Sequence, residues 1–144
     1  MRAIAGIIVG LIAGFAATIL IGIVGIGATF SAPAGMEAGN PRQVLEAYAN
    51  MPQGAQIALM AAWFGGGFVG ALVAKLIARR SWAAWTVAGL IAAYVLLNML
   101  VLPLPGWMQA LSIAAPLIGG LIGNHLVAGH APAAATTDVP PAEA

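Results

Sequence analysis

The chain has 144 residues, of which 62% are hydrophobic and 6% charged, and its mean hydropathy is +1.00. A soluble domain carries roughly a quarter charged residues, so five Lys/Arg and four Asp/Glu are too few to coat a water-facing globule and the surroundings must be mostly lipid. A net charge of +1 gives no ground for a nucleic-acid partner, and the absence of cysteine excludes disulfides, thiolate metal sites and a thiol nucleophile.

After Arg2 the chain is almost purely apolar from Ala3 to about Gly27. A helix crosses the roughly 30 Å hydrocarbon core in about 20 residues, so this run predicts a span near 3–27. The apolar region of a cleaved signal peptide is roughly 7–15 residues long. This run is longer, and it is expected to stay as a helix. Gly6, Gly10 and Gly14 recur every four residues along one of its faces. Missing side chains at that spacing let two helix backbones approach and trade dispersion contacts, which matters where lipid supplies no hydrophobic drive.

Residues 28–54 form the longest connection. Within it "NPRQVLEAYAN" predicts a short helix near 41–50, with Asn40 as N-cap and Pro41 in the first helical position. Val44, Leu45 and Tyr48 share one face, so this helix either rests on the membrane surface or caps a bundle.

A second apolar run predicts a span near 55–78, ending at "KLIARR". Lys75 lies about one turn inside that end and is expected to snorkel outward. No Asp, Glu, Lys or Arg occurs from Ser81 to Thr137. "PLPG" at 103–106 breaks that stretch, because prolines stop a helix. Two spans follow, near 82–102 and 107–128. Pro116 is expected to kink the last one. Residues 131–144 are Pro/Ala-rich without periodicity and read as a disordered tail after a transmembrane domain of residues 1–130.

The fold class is therefore all-α: an integral membrane four-helix bundle. Segments "QIALMAAWFGGGFVGALVA" and "QALSIAAPLIGGLIGNHLV" align at an offset of 53, pairing Gln56, Gly66 and Gly70 with Gln109, Gly119 and Gly123. "VGLIAGF" at Val9 resembles "AGLIAAY" at Ala88 at an offset of 79. Together these read as two tandem helical hairpins in parallel orientation, an organisation also used by transporters.

Lys and Arg are retained on the cytoplasmic side during insertion. With both termini cytoplasmic, Arg2, Lys75, Arg79 and Arg80 lie inside and Arg42 alone outside. Trp82 and Trp85 then mark the inner interface and Trp107 the outer one, where indoles collect.

Chemistry is sparse. His125 and His130 are about 140° apart on a helix and cannot share a metal. His125 is expected at the membrane exit beside Asn124. No carboxylate lies within a span, whereas proton-coupled carriers and intramembrane proteases need an ionisable group at depth. No nucleotide or hydrolase motif occurs in a soluble context. No catalytic, metal or cofactor site is expected. Thr18, Gln56, Asn98, Gln109 and Ser112 map to the outer half. Asn98, the costliest to bury, is read either as an interhelical hydrogen bond or as part of an outward-facing uncharged site walled by Tyr94, Ser112 and Trp63.

Function is accordingly expected to be non-enzymatic: assembly or regulation of a membrane partner through the glycine faces Gly6/Gly10/Gly14, Gly66/Gly70 and Gly119/Gly123. The alternative is a small transporter or channel working as a homo-oligomer, since four such helices hardly line a path alone. The partners are the lipid bilayer and either further copies or a larger membrane complex.

Overall fold

A computed structural model describes residues 1–31 and 40–127, all in helices and short turns. The helices are α1 (Arg2–Thr29), α2 (Pro41–Ala49), α3 (Gln53–Ala78), α4 (Ser81–Met99) and α5 (Gly106–Leu126). The expected tail and His130 lie outside the described residues. Four helices, α1, α3, α4 and α5, are long and apolar enough to cross a membrane. The shortest, α4, has 19 residues, about 28 Å at 1.5 Å per residue. Their outward faces carry large aliphatics, among them Ile4, Ile8, Ile12, Ile19 and Ile23 on α1 alone. A surface of this kind suits lipid and would aggregate in water.

Helix ends follow local chemistry. Asn40 Oδ1 accepts the Arg42 N–H at 3.1 Å, and Pro41 occupies the first helical position, as the sequence predicts. Val44, Leu45 and Tyr48 are half-buried, and Tyr48 packs over Leu59, Trp63, Val95, Leu104 and Met108, so this face of α2 caps that end of the bundle. α4 stops at Met99 rather than 102. Pro103 is the reason: its ring would clash with the carbonyl four residues back, that of Met99 itself. α5 runs through Pro116 as one helix.

α3 is the central helix and packs against α1, α4 and α5, whereas α1 and α5 make no close approach. The antiparallel α1–α3 seam explains the glycine spacing. A Cβ added at Gly6 would meet Ala74 and Ala78, at Gly10 Ala74 and Gly70, and at Gly14 Gly66 and Gly70. Each four-residue step along α1 is matched by a four-residue step back along α3. Thr18 continues the stripe against Gly66, and further along Gly22 faces Ala62 and Gly25 faces Ala58. The α3–α5 seam is parallel: Gly67 lies against the backbone of Pro116, Gly119 against Phe64 and Phe68, and Gly123 against Phe68 and Leu72. All seven glycines of the predicted stripes are buried inside one chain.

The offset of 53 has a structural counterpart. Pro52 and Pro105 are both N-caps. Gln56 Nε2 donates to the Met51 carbonyl at 2.9 Å, and Gln109 Nε2 donates to the Leu104 carbonyl at 3.0 Å. Met51 and Leu104 are both buried. The two helices thus start by the same device, a proline cap with a glutamine reaching back five residues. Their neighbours differ. Gly66 faces α1 and Gly67 faces α5, while Gly119 faces α3 and Gly120 faces Ala88 of α4. At the offset of 79 the buried faces of α1 and α4 are out of register: Gly6, Gly10 and Gly14 correspond to the exposed Trp85, Gly89 and Ala93.

Candidate functional site

Tyr94, Asn98, Ser112 and Trp63 occupy one half of the bundle but not one face. Val95 of α4 is fully buried against Trp63, Leu104 and Met108. Tyr94 lies about 100° around the helix from it, is 45% exposed, and packs edge-on against Phe15 of α1 with ring centres 5.0 Å apart. Asn98, one turn further on, follows Tyr94 to this flank. Its Nδ2 donates to the Tyr94 carbonyl at 2.8 Å, a bond within its own helix rather than across to another. Ser112 is wholly buried on α5. Its hydroxyl lies 3.2 Å from Met99 Sδ and donates to the Gln109 carbonyl at 2.9 Å. Trp63 and Ser112 therefore belong to the packed interior, Tyr94 lies against α1, and Asn98 stays half-buried on its own helix. Thr18 likewise donates to a carbonyl of its own helix, that of Gly14, at 2.9 Å.

Sequence reasoning missed the polar pair at the opposite end. Lys75 does not snorkel. It is 8% exposed, and its Nζ donates to the backbone carbonyl of Asn124 on α5. The cause is the α3–α5 seam: with no side chain at Gly119 or Gly123, α5 lies close enough to cover the lysine stem. Asn124 belongs to the last four residues of α5, whose carbonyls lack a partner within the helix. An ammonium there donates to a helix-end carbonyl and opposes the negative end of the helix dipole.

The chain matches no family model, no curated protein and no solved structure. The functional reading therefore rests on geometry. The Lys75–Asn124 contact is the one place among the described residues where a charged side chain is buried between spans. Asn124 is equally buried, and its Oδ1 has no hydrogen-bond partner. His125, next in sequence, points out of the bundle from the last turn of α5. Among the described residues no three His, Asp or Glu side chains gather to hold a metal. The arrangement can bind charge and hold helices, while no acid, base or nucleophile is paired within it. The "NHL" motif was the only available signal for this pair, and nothing in it indicates that a lysine 49 residues earlier reaches the same turn.

Proposed function

We propose that the protein is a non-enzymatic, multi-pass inner-membrane protein with both termini cytoplasmic, and that it helps to assemble or regulate a membrane partner. The observation that carries this reading is the closed interior. Between the helices glycine and alanine let backbones touch, and the half-buried Thr18 bonds to a carbonyl of its own helix. A conducting path needs polar groups directed into a lumen.

The seven stripe glycines are buried within the chain, which supports a partner meeting another face. The least covered helix is α1, whose aliphatics Ile12, Ile19 and Ile23 form a free face beyond its first two turns. A partner helix would meet that face. The cysteine-free sequence makes the test simple, since any introduced cysteine is unique.

Asn50→Cys, between α2 and α3, is expected to react with a membrane-impermeant maleimide in intact cells. Ser81→Cys, at the α3–α4 corner, is expected to react only after permeabilisation. A photo-crosslinker at Ile12 is expected to yield an adduct with a different, heavier membrane protein. An adduct of two copies of this chain alone would favour the homo-oligomeric transporter, and reversed labelling would overturn the orientation.

A further inference from the structure

A cleft of about 440 Å³ opens at the arginine-rich end, lined by Met1, Arg2 and Ala3 of the α1 start, Ala78 of the α3 end, and Arg80 and Trp82 of the corner into α4. Arg2 and Arg80 have no carboxylate partner beside them among the described residues. The single carboxylate among those residues, Glu46, is on α2 at the other end of the bundle. Arg2 and Arg80 thus line one concavity that no carboxylate among the described residues shares. Arginine is the side chain best shaped to hold phosphate oxygens, through its fixed fork of donors. Arg80 is also the N-cap of α4 and provides no side-chain cap, so the open N–H groups of that helix add positive potential on the same side.

The rest of the lining says which phosphate. Ala3 and Ala78 make an apolar floor, and Trp82 is 51% exposed at the lip. Ile4 and Ile8 continue outward from the cleft along α1, both more than half exposed. Free phosphate or a soluble nucleotide has no use for an aliphatic track leading away from the charge. A phospholipid fits each part: phosphodiester on the arginines, glycerol against the indole, acyl chains along Ile4 and Ile8. We infer that the Arg2–Arg80–Trp82 cleft is a binding site for the phosphodiester headgroup of an anionic phospholipid. Recognition by basic pockets between membrane helices follows from such charge placement, and the inference does not depend on which leaflet the cleft faces.

The test is native mass spectrometry of the full chain in detergent, titrated with phosphatidylglycerol or phosphatidylcholine of matched acyl chains. The wild type is expected to retain phosphatidylglycerol over phosphatidylcholine by roughly 30-fold, two surface cations contributing about a factor of five each. R2Q/R80Q is expected to lose that preference. R42Q/R79Q removes the same two charges from outside the cleft and is expected to keep it. Retained preference in R2Q/R80Q, or equal loss in R42Q/R79Q, would overturn the assignment. A competition on the wild type needs no variant to fold: inorganic phosphate at millimolar concentration is expected to leave the lipid bound, and its displacing the lipid would assign the cleft to free phosphate instead.

Discussion

Gly67→Ala is expected to destabilise the bundle by about 3 kcal/mol, at the upper end of what overpacking a core costs. The reason is what the new methyl would meet. At Gly67 it falls inside contact distance of the Pro116 carbonyl oxygen, 2.6 Å from the Pro116 Cα and 2.8 Å from its carbonyl carbon. All three are backbone atoms of a helix, and none can rotate aside. α5 would have to retreat as a whole, loosening the contacts of Gly119 and Gly123 on the same seam. Gly119→Ala is expected to act similarly, since it meets the Phe64 carbonyl and the Phe68 amide nitrogen. Gly65→Ala is the instructive contrast. Its methyl would also collide, but with Cδ1 of Ile21, the far end of a flexible side chain. Gly89, exposed on α4 with nothing within 4 Å, is the control. There alanine is expected to be neutral or to stabilise by up to about 1 kcal/mol through helix propensity. Unfolding in mixed micelles with increasing dodecyl sulfate ranks all four, and equal effects at Gly67 and Gly89 would contradict the α3–α5 seam.

Lys75→Met is expected to lower stability by about 1–3 kcal/mol, the cost of leaving a buried acceptor unpaired. Methionine keeps most of the stem volume and removes the ammonium, so the Asn124 carbonyl loses its donor and the α5 terminus its opposing charge. The desolvation cost of a buried cation acts in the other direction. The bond is expected to win because the ammonium both donates to a buried helix-end carbonyl and opposes the α5 dipole. Asn124→Ala separates backbone from side chain. It keeps the carbonyl that Lys75 uses and deletes the unpartnered Oδ1. The relief offsets the small void, and a change within about 1 kcal/mol is expected. The same micelle unfolding reads both. A Lys75→Met chain more stable than the wild type would mean that the ammonium is kept at a cost to the fold, as intramembrane charges at working sites are.

These two expectations also mark how far the sequence could be read. The spans were legible because charge and proline punctuate an otherwise apolar chain: Arg79 and Arg80 separate α3 from α4, and Pro103 with Pro105 separates α4 from α5. The cap at Asn40 was legible because it depends on three adjacent residues. The four-residue glycine spacing showed that backbones approach, but spacing does not say which backbone. That a proline stands opposite Gly67, and that the stripes close on one another within one chain, are properties of register between helices. Lys75 went astray for the same reason. A lysine one turn from a helix end snorkels when its flank is open, and here Gly123 brings α5 over it. An interhelical bond from Asn98 is not needed, because the Tyr94 carbonyl four residues back lies within reach on its own helix. Short-range chemistry and long apolar runs are written locally, whereas the pairing of faces is not.

The most direct test of the closed, internally zipped bundle is a disulfide across the α1–α3 seam. A Cβ built at Gly22 stands 3.8 Å from the Cβ of Ala62, close to the mean separation in disulfides, and the chain has no other cysteine to interfere. In native membranes Gly22→Cys/Ala62→Cys is expected to oxidise rapidly to a faster-migrating monomer. Failure to close, or closure only between copies as a dimer, would mean that these faces meet another chain and that the bundle described here is wrong.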